Sequence, residues 1–125
     1  MIFHQTSPCI SRPLALAIAL LAVLATPAHS QELPSYQLTI KTGRFIPETI
    51  EVPANIKFRL LIRNEGPGPE EFESNELGKE KVLAPGASSF LIFQPLKAGT
   101  YRFFGEFHPE TAQGRIVARQ TRNEK

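Results

Sequence analysis

The chain has 125 residues, with fourteen Lys and Arg against twelve acidic residues, and its formal net charge is +2. So even a balance lacks the basic excess that nucleic-acid binding needs, and no polybasic run draws the chain to a membrane surface. The length allows one well-packed domain and excludes two.

Residues 1–30 read as a signal peptide. Arg12 and the amino terminus supply the positive end, and no acidic residue precedes Glu32. Leu14 to Ala25 is an apolar run too short to span a bilayer, and Ala28-His29-Ser30 offers small residues for cleavage after Ser30. Retention of the run as an anchor is the alternative. Cys9 precedes the run, so it is not a lipid-modified cysteine. Cleavage leaves an exported, soluble domain at 31–125, with no membrane insertion. That domain has no cysteine and no methionine, and His108 is its single histidine. Without a disulfide it must be held by its core alone.

From residue 31 onward the pattern is of short strands. Tyr36, Leu38 and Ile40 alternate with polar neighbours; Ile50 and Val52 repeat this before Pro53. Ile56, Phe58, Leu60 and Ile62 alternate with charged neighbours, and Asn75 to Lys81 is the one stretch suited to a short helix or an irregular crossing. Phe90 to Phe93 reads as a strand buried on both faces, ended by Pro95. Tyr101, Phe103 and Gly105 share a face, and Ile116 with Ala118 closes the series. Turn signals fall between them at Gly43, Pro47, Gly66-Pro67-Gly68-Pro69, Pro85-Gly86 and Lys97-Ala98-Gly99. The spacing predicts an all-β fold, a Greek-key antiparallel β-sandwich of seven to eight strands.

Five motifs carry a family resemblance: Phe45-x-Pro47-x-x-Ile50-x-Val52-Pro53, Asn64, Ala84-Pro85-Gly86, Phe93-x-Pro95-x-Lys97-Ala98-Gly99-Thr100-Tyr101 and Gly105-x-x-His108. In this order they resemble a single-domain bacterial cupredoxin, close to the EfeO-type cupredoxin-like domain. The resemblance places the family's copper ligands at Glu70, after Pro69, for the first histidine, at Gly105 for the cysteine, at His108 for the second histidine and at Ala112 for the axial methionine. Only His108 keeps the expected residue. Soft thiolate sulfur makes a blue-copper site, and none is present, so a blue-copper centre is not expected.

Pro69-Glu70-Glu71-Phe72-Glu73-Ser74 and the stretch from Phe103 to Gly114 also resemble the periplasmic cupredoxin-like component of bacterial FTR-type ferrous iron uptake systems. That resemblance implies a periplasmic location, a copper or iron ion as cofactor, and an iron permease and a periplasmic metal-binding protein as partners. The implied role is a metal-binding accessory of iron transport. A copper-assisted ferroxidase and a metal-free docking subunit of the transporter are the alternatives, and no self-sufficient catalytic site is visible.

The candidate ligands are His108 and Glu70, with Glu106, Glu110, Glu71 and Glu73 able to complete a hard oxygen and nitrogen set. Strand alternation puts Glu70 on the face of Phe72, toward the site, and turns Glu106 to the other face from Gly105 unless the strand has ended. The bland readings are a turn-capping His108, a solvated acidic edge and a glycine that eases a bend. Phe104, outward by alternation, is a candidate docking contact.

Overall fold

The computed structural model describes residues 30–122, together with 2, 8, 9 and 25–28. Residues 1–30 form a unit of their own, and the predicted signal peptide lies almost wholly outside the described residues. The described residues of the second unit, 31–125, form nine strands. They are β1 (Ser35–Lys41), β2 (Arg44–Ile46), β3 (Thr49–Pro53), β4 (Phe58–Asn64), β5 (Glu70–Ser74), β6 (Lys79–Leu83), β7 (Ser88–Phe93), β8 (Gly99–Phe104) and β9 (Gln113–Arg119). No helix among the described residues is long and apolar enough to cross a membrane.

One sheet has the order β2-β1-β4-β7 and the other β3-β9-β8-β5-β6. The predicted sandwich is present, with nine strands among the described residues where seven to eight were expected. Both sheets are mixed rather than antiparallel: β1 runs parallel to β4, and β3 parallel to β9. The cause is the route of the chain, which leaves the first sheet after β2 to form β3 in the second, then returns as β4. A strand reached by crossing the sandwich is free of the antiparallel constraint of a hairpin. In the stretch Asn75–Lys81, residues 75–78 are a turn, with Gly78 at positive φ donating its N–H to Asn75 O, and Lys79 to Lys81 open β6.

Alternation along the strands fills the space between the sheets. Leu38, Ile40, Phe58, Leu60, Ile62, Phe93, Ile116 and Ala118 all point inward and are buried. Five phenylalanines form a continuous file through this core. Phe58 stacks on Phe93 at 4.8 Å, Phe93 meets the edge of Phe72, Phe72 lies 4.8 Å from Phe103, and Phe103 meets Phe45 edge-on at 4.9 Å. Such contacts favour fixed ring geometry in addition to burying area. The file ends beneath Gly105.

The strand predicted as buried on both faces is not. β7 is a sheet edge; Leu91 and Phe93 turn inward, while Phe90 is 54% exposed. A run of four apolar residues carries no period, so the pattern could not say which face met solvent.

Asn64 closes β4 and is fully buried. Its Nδ2 donates to Gly68 O and Leu83 O, at 2.8 and 3.0 Å, and its Oδ1 accepts from Gly66 N at 2.8 Å. One amide therefore fixes the loop that delivers the chain to Glu70. Asn64→Ala leaves these buried groups unpaired and should lower unfolding stability by about 1–3 kcal/mol. Urea denaturation reads this as an earlier midpoint at constant slope; an unmoved midpoint would show that the loop is held by other contacts.

Candidate metal centre

Three segments meet at one end of the sandwich: the β1–β2 turn, the start of β5 and the loop between β8 and β9. Thr42 and Gly43 form the first, both at positive φ (50° and 66°), the arrangement of a tight two-residue hairpin. Glu70 opens β5 and points inward beside Phe72, as alternation predicts, with only 1% of its surface exposed. The loop braces itself: Gly105 N donates to Ala112 O, His108 N to Gly105 O, and Ala112 N to His108 O.

A buried carboxylate must have hydrogen-bond donors. Gly43 N donates to Glu70 Oε1 at 3.1 Å, and His108 Nδ1 lies 3.1 Å from Glu70 Oε2. With Nδ1 protonated toward the carboxylate, the neutral ring keeps its free lone pair on Nε2. His108 is 47% exposed on its side chain, so one edge of the ring faces the interior and the rest faces solvent. Thr111 Oγ1 donates to Gly43 O at 2.7 Å and ties the loop to the hairpin turn. Gly43 is required twice: a Cβ there would also come within 2.5 Å of the His108 ring. Gly43 was legible as a turn signal, but its contact with residue 108 had no local signal. Thr111 and the half-exposed Phe107 were likewise missed by the sequence.

The other candidates gather elsewhere. Glu71 and Glu73 project from the opposite face of β5, and the pairing of Glu73 with Phe104 places Glu106 across from Glu71. Glu106 N donates to Glu71 Oε2 at 3.0 Å, and carboxylate oxygens of Glu71, Glu73 and Glu106 lie within 4.8 Å of one another. Glu71 is 4% exposed. Burial raises its pKa, the Glu106 N–H partly offsets this, and the Glu106 and Glu73 carboxylates push it further up. Glu73 is raised in the same direction, by burial and then by Glu106 and Glu80. Glu110 is exposed in the loop and belongs to neither group. The six sequence candidates thus divide into a Glu70–His108 pair, a Glu71–Glu73–Glu106 cluster and an isolated Glu110. Phe104, expected outward, is partly covered.

The Cupredoxin-like domain model matches residues 14–118. The chain belongs to the cupredoxin-like family. An uncharacterized protein of Rickettsia prowazekii (strain Madrid E) is 47% identical over 81 residues, which cover 65% of each protein. The match therefore spans just under two thirds of that relative's length. Among solved structures, the metal-binding domain of the Streptococcus pneumoniae Cu(I)-exporting P-type ATPase CopA, determined with Cu(I), superposes with a TM-score of 0.61 at 15% identity, covering 69% of this chain and 85% of that one. Auracyanin from Roseiflexus castenholzii gives 0.57 at 12% identity, covering 68% of this chain and 96% of its own. At these identities the likeness is one of fold.

Within this cupredoxin-like chain a blue-copper group does not fit. Position 105 has no side chain, and a Cβ built there would lie 2.7 Å from the Glu71 carbonyl oxygen and 3.2 Å from Ala112 Cβ. Ala112, where the resemblance places the axial ligand, is fully buried. Gly105→Cys should accordingly destabilise the fold and develop no intense blue absorption with Cu(II); a stable, blue variant would refute this account of the loop.

The raised pKa of Glu71 has a definite consequence for stability. The folded state holds this proton more tightly than the unfolded chain, so stability falls as pH rises from about the ordinary 4.5 through the raised value. Glu71→Gln, which carries no charge, should be more stable than the native protein near neutral pH, and the gap should close on acidification. Urea midpoints at several pH values test this, and a gap that stays constant would remove Glu71 as its source.

Proposed function

We propose that this cupredoxin-like protein is a metal-binding accessory of an iron-transport system, of the EfeO type, acting in the periplasm after removal of residues 1–30. The observation that carries the proposal is the buried Glu70 carboxylate beside Nδ1 of a half-exposed His108. A carboxylate that orients an imidazole and raises its basicity is the usual support for a histidine ligand. The donors are imidazole nitrogen and carboxylate oxygen, a set suited to Fe, Mn, Zn or Cu(II) rather than Cu(I).

His108 would be the first donor, through Nε2, with Glu70 holding the ring; Glu70 could bind directly only by giving up its bond to Nδ1. A bound iron or copper ion would supply a centre able to exchange one electron. The chain's own residues orient the imidazole, close the loop through Thr111 and Gly43, and leave the outer side of the ring open to solvent. Delivery to or from a permease and a periplasmic metal-binding protein fits an exposed donor, which can be handed over without unfolding. The resemblance of the Pro69–Ser74 and Phe103–Gly114 stretches to iron-uptake components supports this choice of partners.

The same pair also favours a second reading, a metal-free docking subunit, because Glu70, His108, Gly43 and Thr111 satisfy one another without an ion. Calorimetric titration of the purified protein with Cu(II), Fe(II), Fe(III) and Mn(II) separates the two. The metal reading expects binding of at least one ion, accompanied by a rise in melting temperature. His108→Ala should abolish that binding, and Glu70→Gln should weaken it about 10- to 100-fold. No binding of any of these ions would leave the docking reading, and binding unchanged in both variants would remove Glu70 and His108 as the site.

A further inference from the structure

Four strands form the edges of the two sheets: β2 and β7 in one, β3 and β6 in the other. An open edge offers unpaired N–H and C=O groups to any strand that can lie beside it, and proteins guard such edges with charge, proline or short length. Three of the four are guarded. β2 has three residues, including Arg44, and is followed by Pro47; β3 carries Glu51 and ends on Pro53; β6 carries Lys79, Glu80 and Lys81. β7, Ser88-Ser-Phe-Leu-Ile-Phe93, has six residues with no charge and no proline. Its ladder pairs only with β4, and no other backbone hydrogen bond from these residues occurs among the described residues.

The outer face beside that edge is apolar. Phe90 is 54% exposed and sits opposite Leu61 on β4, which is also exposed, and Ile92 is half-buried opposite Arg59. The Arg59 guanidinium lies over the Phe90 ring at 5.3 Å, so the nearest charge is already engaged with the aromatic it flanks. The inward residues Leu91 and Phe93 belong to the core.

We propose that β7 is a self-association edge, at which two copies of this chain join by antiparallel β7–β7 pairing about a two-fold axis. A second copy is the occupant that the edge itself specifies: it offers a strand of the same length and equally free of charge, and antiparallel pairing of identical edges closes at two. Side-chain alternation limits the register, because inward residues must meet inward residues for both cores to stay covered. Phe90 and Ile92 of one copy then face Phe90 and Ile92 of the other on the shared outer surface. The two β4 strands lie three strand spacings, about 14 Å, from each other, while each Arg59 guanidinium stays over its own Phe90 ring.

Sedimentation equilibrium of the purified protein from about 10 µM to 1 mM tests the proposal, since six paired residues make a weak joint. The expected result is a monomer–dimer equilibrium that Phe90→Lys shifts to monomer and that Val82→Lys, on the guarded β6 edge, leaves in place. Hydrogen exchange of the native protein supplies a measurement independent of any variant. The alternate β7 amides that face away from β4 should exchange more slowly at high concentration than at low. A monomer throughout, association unaffected by Phe90→Lys in a folded variant, growth beyond the dimer, or a dimer with unchanged exchange at Ser88–Phe93 would each overturn it.

Discussion

A carboxylate sealed inside a protein is costly unless donors reach it, and both donors of Glu70 come from distant parts of the chain. Gly43 N approaches from the β1–β2 hairpin and His108 Nδ1 from the β8–β9 loop. The hairpin must therefore turn tightly enough to aim an amide inward, and its glycine must be bare to admit the imidazole. The loop must fold back so that His108 arrives with Nδ1 leading. Thr111, bonded to the carbonyl of that same glycine, holds the hairpin and loop together. Remove the carboxylate and each of these local choices loses its reason.

The acidic cluster on the opposite face of β5 follows a different logic. Adjacent residues of one strand, Glu70 and Glu71, are both buried although they face opposite ways, because β5 is interior to its sheet and Glu106, just past β8, lies against Glu71. Glu70 is compensated by an imidazole, whereas Glu71 is compensated by one backbone N–H and opposed by neighbouring carboxylates. The first arrangement holds a group in place; the second raises the pKa of the carboxyl group.

Strand alternation made much of the fold legible in the sequence. Leu38 and Ile40, Phe58, Leu60 and Ile62, and Ile116 with Ala118 lie inward as the period of two requires, and Glu70 shares a face with Phe72. The loss of the thiolate at Gly105 was equally legible, since it needs only residue identity. Pairing partners and register were not. Whether Glu106 joins His108 or Glu71 depends on the pairing of Glu73 with Phe104, a contact between residues far apart in the chain. Asn64 could be read as the end of a strand, but three hydrogen bonds to Gly66, Gly68 and Leu83 leave no trace in local spacing. Phe90 was misplaced because an unbroken apolar run has no phase.

The parallel partnership of β3 and β9 bears on how the chain reaches this state. β3 lies at a sheet edge, and among the described residues its hydrogen-bonded neighbour is β9. During synthesis Ile50 and Val52 emerge long before the β9 residues that pair with their strand. β1 can pair with β4, and β5 with β6, as soon as each has emerged, whereas β3 must wait for β9. Contacts between segments so widely separated are slow to form. Truncation even a few residues into β9 would thus strand β3 without a sheet, making the C-terminal strand the one on which completion of folding waits.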